Sequence, residues 1–167
     1  MGVPGPGHRP GCNILWVYNY QPPIPVSISA LEWLLSLASS WALFGLIWTI
    51  QLVHYPAFRY VPDFSEFHPH HTSSITMIVM PLMLLEIGLS AYLAYKTGFD
   101  WQWAVPLFMV LLIWGITFLK AIPLHDSLST HREPAVIEAL IRINWPRTIL
   151  WTAKALWISY SFWYTRT

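Results

Sequence analysis

The chain has 167 residues, 55% of them hydrophobic and only 10% charged, with a formal net charge of +1. An ordinary soluble domain carries roughly 25% charged residues, so this composition excludes a surface that faces water all round. The near-neutral charge, with no run of Lys and Arg, excludes nucleic acid as a partner. The length suits one compact domain, and the single cysteine, Cys12, cannot form an internal disulfide.

Residues 1–27 are rich in Pro and Gly and lack a basic segment followed at once by an apolar one, so they do not read as a cleavable signal peptide. They read as an irregular tail near the membrane surface, with Trp16, Tyr18 and Tyr20 at headgroup level. Residues 28–167 form the domain itself. Four apolar stretches follow, about Ile28–Val53, Ser73–Tyr95, Trp103–Ile122 and Thr148–Tyr164. Each is long enough to cross a hydrocarbon layer of about 30 Å at about 1.5 Å per residue. Unbroken apolar runs satisfy their backbone as helices rather than as barrel strands. The expected fold class is therefore all-α, a four-helix transmembrane bundle in contact with the lipid bilayer.

The connections are unequal. A short turn at Lys96–Asp100 makes the second and third spans antiparallel neighbours. Tyr55–Thr72 and Pro123–Arg147 are longer and polar, and Glu133–Ile143 reads as a short amphipathic interfacial helix before the last span. Pro69 and Pro146 suit first-turn positions of the second and fourth spans, with Asn144 near the latter as a cap. Small residues (Ala38, Ser39, Ala42, Gly45; Gly88, Ala91, Ala94) offer places for close helix contact. The excess of Lys and Arg lies on the long-loop side, at Arg59, Lys120, Arg132, Arg142 and Arg147, against Arg9, Lys96 and Arg166 opposite. The positive-inside rule then puts the long loops in the cytoplasm, as in a bacterial inner membrane protein.

Six of the seven histidines fall on or beside the two long loops: His54, His68, His70, His71, His125 and His131. Imidazole ligates metals or haem iron and moves protons near neutral pH. His68, His70 and His71 are candidate metal ligands, although their spacing matches no zinc pattern. Haem, iron and copper are all compatible with such a set, as is chemistry without any cofactor. Glu86 and Lys154 lie deep in the second and fourth spans, where an ionisable group usually faces the bundle interior and pairs or functions. Asn144, Arg147, Trp151 and Lys154 recur every three or four residues and so share one helix face. That stripe suits a pocket for a small anionic or aromatic molecule, with Arg147 clamping an oxygen anion and Trp151 stacking on a ring. Gln51 and His54 share a face at the end of the first span. A compact bundle would bring His54, His71, His125 and Arg147 to one mouth.

Two stretches carry a likeness to a family. Gln51-Leu52-Val53-His54-Tyr55-Pro56-Ala57-Phe58 and Asn144-Trp145-Pro146-Arg147-Thr148 resemble the end of the first helix and the start of the last helix in small four-helix membrane proteins of a domain of unknown function, which includes anthrone-oxygenase-like proteins. Members often carry Glu-His-Pro where this chain has His54-Tyr55-Pro56. The resemblance implies an oxygenase or oxidase acting on a reduced phenolic compound. The residue pattern itself shows only a polar, partly cationic pocket that such an activity could use; with the resemblance, the leading expectation is a membrane oxidoreductase for a small aromatic or quinone-like substrate. On that reading His54 or His71 is the base, Glu86, Arg147 and Lys154 belong to the catalytic set, and Gln51, His125, Asn144 and Trp151 bind substrate. Its rivals are a non-catalytic membrane subunit, packed against a partner protein or a second copy, and a small metal-handling or transport protein.

Overall fold

The structure is a computed structural model that describes residues 1–2, 27–129 and 132–166. The tail residues Cys12, Trp16, Tyr18 and Tyr20, and also His131, lie outside the described residues. Every regular element described is helical: α1 (Ala30–Thr49), a π-helical turn (Ile50–His54), α2 (Tyr55–Ala57), α3 (Phe64–Lys96), α4 (Trp101–Ile116), a second π-helical turn (Thr117–Ala121), α5 (Ile122–Leu128) and α6 (Pro134–Tyr164). The first three are continuous, as are α4, the second π turn and α5, so the chain forms four helical rods. Three of them, Ala30–Ala57, Phe64–Lys96 and Trp101–Leu128, are long and apolar enough to cross a membrane.

The rods close into a ring in which α1 packs on α3 and α6, and α4 packs on α3 and α6. Ser29 and Glu32 start α1 with a reciprocal capping box. Glu32 also takes Lys96 Nζ at 2.6 Å, tying the start of α1 to the end of α3. Gly98, at φ 66°, adopts the left-handed conformation that turns the chain from α3 into α4, and Asp100 caps α4 through Gln102 N at 2.9 Å. On the α1–α6 seam, the indoles of Trp41 and Trp48 donate to Ser159 and Thr152 at 3.0 and 3.1 Å.

The polarity of the bundle is inverted relative to a water-soluble protein. Leu34, Leu52, Val53, Met77, Leu84, Phe108, Leu119 and Leu156 are exposed, whereas Gln51, Glu86, Asn144, Arg147, Thr148 and Lys154 are buried. Lipid, not water, is the solvent that such an outside suits. The small-residue stripes differ from expectation for the same reason. Ala38, Ala42, Gly45, Gly88 and Ala91 are exposed, leaving Ser39 and Ala94 buried, and a Cβ added at Gly45 or Gly88 would meet nothing within 4 Å.

Two helix boundaries correct the sequence reading. Helix α3 begins at Phe64, so Pro69 lies inside it, and Glu133–Ile143 is no separate helix because α6 runs unbroken through Pro146. A proline forfeits one hydrogen bond to the residue four before it and crowds that carbonyl. Burial of Phe64, His68, Asn144, Arg147 and Thr148 on the inner faces of these helices holds both helices together across that local cost. Asn144 is therefore a buried mid-helix residue and not a cap.

Pro56 and Pro123 act differently. Each stands two residues after a π turn, and the residue just before it reaches back five positions: Tyr55 N–H to Ile50 O and Ile122 N–H to Thr117 O. One extra residue per turn relieves the proline ring of its carbonyl clash. Both turns lie at the same end of the bundle.

Candidate functional site

The π turn at the end of α1 carries Gln51 and His54 inward, and both are buried. Gln51 Nε2 donates to the Ile141 carbonyl at 3.3 Å, and its Oε1 accepts from Asn144 Nδ2 at 2.8 Å. Asn144 Oδ1 in turn accepts from Arg147 Nη1 at 3.0 Å. The Arg147 guanidinium lies over the Trp151 ring, 5.3 Å from its centroid. Beyond it, Trp151 Nε1 donates to Glu86 Oε2 at 2.8 Å, and Lys154 Nζ sits 2.9 Å from Glu86 Oε1 and 2.9 Å from Ser40 Oγ. The inward face of α6, Asn144, Arg147, Trp151 and Lys154, is thus one strand of a buried polar chain running from Gln51 to Ser40.

The histidines form a second group. None of the described ones stands on a loop: His54 is in the first π turn, His68, His70 and His71 are in α3, and His125 is in α5. This corrects the picture of a histidine-rich loop, since the long connections are largely consumed by helix. His71 Nε2 meets His54 Nδ1 at 2.7 Å with the rings stacked. His68 Nε2 meets His125 Nδ1 at 3.3 Å, and His125 Nε2 meets the Tyr55 hydroxyl at 3.2 Å. Each imidazole contact needs one N–H and one lone pair, so at least one ring in each pair is neutral. Phe58 stands among all four, with ring centroids 5.1 to 6.4 Å away. His70 is exposed on the outer face.

His68, His70 and His71 are therefore not brought together as a metal site. Among the described residues, no group of three or more His, Cys, Asp or Glu side chains is placed to hold a metal ion.

The two groups meet at a cavity of about 200 Å³. His54, Tyr55, Thr72, Thr76, Thr117, His125, Asp126 and Arg147 supply its polar lining, and Ile50, Ile75, Val79, Met80, Met83, Ala121 and Ile122 its apolar walls. Beside it a surface groove of about 590 Å³ shares Thr72, Thr76, Met80, His125 and Asp126, and is reached by His68. Gln51, His71, Asn144 and Trp151 stand behind the lining and hold it in place. Glu86 and Lys154 do not line the cavity; their charges are satisfied by each other, Trp151 and Ser40.

Tyr55 and Asp126 are the site residues that sequence reasoning passed over. Both are immediate neighbours of singled-out histidines, and the signal that would have found them is a nearby proline, Pro56 directly after Tyr55 and Pro123 three residues before Asp126, each of which follows a π turn. Comparison with protein-family models, with curated proteins and with solved structures finds no match to this chain.

Proposed function

We propose that the chain is a membrane-embedded, oxygenase-like oxidoreductase acting on a small aromatic or quinone-like molecule. The observation that carries this reading is the convergence of Arg147, His54, Tyr55 and His125 on one cavity with apolar walls. Arg147 supplies a permanent positive charge for an oxygen anion developing on the substrate. His54, backed by His71, accepts the substrate proton. Tyr55, His125 and His68 form a hydrogen-bonded file along which a proton can leave toward the groove. With a hydroquinone as substrate, dioxygen takes up its two electrons and two protons, leaving the quinone and hydrogen peroxide, and the aliphatic part of the lining shields the reacting atoms. The resemblance to anthrone-oxygenase-like proteins agrees with this arrangement, because the two stretches that carry it touch: Gln51 bonds Asn144, and His54 and Arg147 line the same cavity.

In this proposal α6 is the fourth membrane crossing, from about Thr148 to Tyr164, with Pro134–Ile143 rising along the interface. Its charges Arg147 and Lys154 face the bundle and spare the lipid. The membrane is a bacterial inner membrane, with the cavity end of the bundle on the cytoplasmic side.

The test is oxygen uptake by detergent-purified protein offered reduced polycyclic phenols and hydroquinones, with an absorption spectrum of the same preparation. Uptake lost in Arg147→Ala and His54→Ala, with both variants still accumulating in the membrane, is the expected result. Absence of uptake by the parent protein, together with a second protein co-purifying at fixed stoichiometry, would overturn it in favour of a subunit role.

A further inference from the structure

Among the described residues, three Glu, Lys or Arg side chains are deeply buried in the bundle: Glu86, Lys154 and Arg147, at 1%, 2% and 4% exposure. Glu86 and Lys154 neutralise each other at 2.9 Å. Arg147 has no such partner. A guanidinium stays charged under all ordinary conditions, yet among the described residues no carboxylate lies within ion-pair distance of it. Its neighbours are a neutral amide oxygen, Asn144 Oδ1, and the Trp151 ring, and its Nε–H is buried without a hydrogen-bond partner. Asp126 lines the same cavity but is itself exposed, so water screens most of its field. The interior therefore holds one positive charge that no buried group among the described residues offsets.

An uncompensated buried charge is expensive in any protein. Packing alone would favour an apolar side chain at this position. The charge borders a cavity whose remaining lining is half aliphatic and half polar, so the missing negative charge has room to arrive with a ligand that is apolar in part.

We infer that the cavity is a binding site for a lipophilic monoanion, a single carboxylate or phenolate oxygen head on an apolar body, which completes the ion pair of Arg147. About 200 Å³ is below the roughly 300–1,000 Å³ of sites that enclose a drug-sized ligand. The head and one ring, or a short alkyl segment, enter the cavity, and the rest of the ligand lies along the adjoining groove. The inference names the ligand class of the site proposed above and shares its cavity, but it does not depend on oxidation. A protein that binds the anion without consuming oxygen leaves it standing.

The ligand-free protein makes an unusual demand on the Arg147→Gln variant. It removes a charge that nothing offsets, so the unliganded midpoint of unfolding should stay level or rise, while anion binding disappears. The experiment uses the full chain in phosphatidylcholine nanodiscs at neutral pH, followed by tryptophan fluorescence on heating with decanoate or decanol as probe. The expected result is a saturable rise in midpoint with decanoate and none with decanol, lost in Arg147→Gln and partly kept in Arg147→Lys. Discs containing phosphatidylglycerol separate the two sources of anion. A midpoint already raised there, and insensitive to added decanoate, assigns the site to a lipid phosphate and overturns the carboxylate or phenolate head, whereas an additive response assigns it to a free monoanion. Equal shifts with decanoate and decanol overturn the inference, as does a decanoate shift that survives in Arg147→Gln. Should Arg147→Gln fail to accumulate, the decanoate-to-decanol comparison on the parent chain decides alone.

Discussion

The indole nitrogen of Trp151 donates a 2.8 Å hydrogen bond to Glu86 Oε2, while the face of the same ring receives the Arg147 guanidinium. One side chain thereby joins the cavity to the ion pair deeper in the bundle. It also separates two kinds of charge: Lys154, which the fold neutralises, and Arg147, which it does not.

Removing Lys154 should be far more damaging than removing Arg147. Lys154→Met strands the Glu86 carboxylate, and breaking a buried pair typically costs about 3–5 kcal/mol. The double variant Lys154→Met with Glu86→Gln should recover most of that loss. Thermal unfolding in a mild neutral detergent checks it, and a double variant as unstable as the single one would show that the pair serves more than mutual neutralisation.

Gln51 and Asn144 hold Arg147 in place. Asn144→Leu deprives Gln51 Oε1 of its closest donor and Arg147 Nη1 of its acceptor. Buried polar groups left without partners cost about 1–3 kcal/mol each. A lowered unfolding midpoint, together with weaker decanoate binding, is the expected pair of results. Unchanged binding would mean that Arg147 finds its position without this support.

Tyr55→Phe removes only the hydroxyl that meets His125 at 3.2 Å. The ring stays packed, so the free energy of unfolding should hold to within about 1 kcal/mol of the parent, the size of one net hydrogen bond. If the Tyr55–His125–His68 file carries the proton, oxygen uptake should fall by about 10²-fold or more, the usual contribution of a positioned acid or base. Full activity in this variant would remove Tyr55 from the mechanism.

Outside the spans, Arg59 grips Glu138 with two bonds at 2.6 and 2.8 Å. That hydrogen bonding holds the Glu138 carboxyl below the usual carboxylate range. A folded-state value below the unfolded one, about 4.3, means that the stabilisation is complete above the unfolded value and fades as the pH drops through the folded one. Acid titration of the midpoint should be slightly steeper in the parent than in Glu138→Gln. Because the pair is at the surface, high salt should erase the difference.

Much of this protein was written in its composition and periodicity. Long apolar stretches and a 10% charge content point to helices in lipid, and three of the helices are long and apolar enough to cross a membrane. The three- and four-residue spacing of Asn144, Arg147, Trp151 and Lys154 places them on one face whatever the neighbours are. Lys96–Asp100 is too short to do anything but reverse the chain. These are local properties, decided within one segment.

Tertiary packing decided the rest. Sequence rules start helices at Pro69 and Pro146, yet both helices begin earlier, at Phe64 and Pro134, because inner faces buried against other rods outweigh one lost hydrogen bond. The π turns before Pro56 and Pro123 exist because a continuous rod was favoured over a break there. Nothing local in His54, His68, His71 and His125 indicates that they stand in two contacting pairs, since each partner comes from another helix. The same holds for charge. Lys154 and Arg147 are alike as buried cations on one helix face, and only the position of Glu86 on α3 makes one of them balanced and leaves the other facing a cavity.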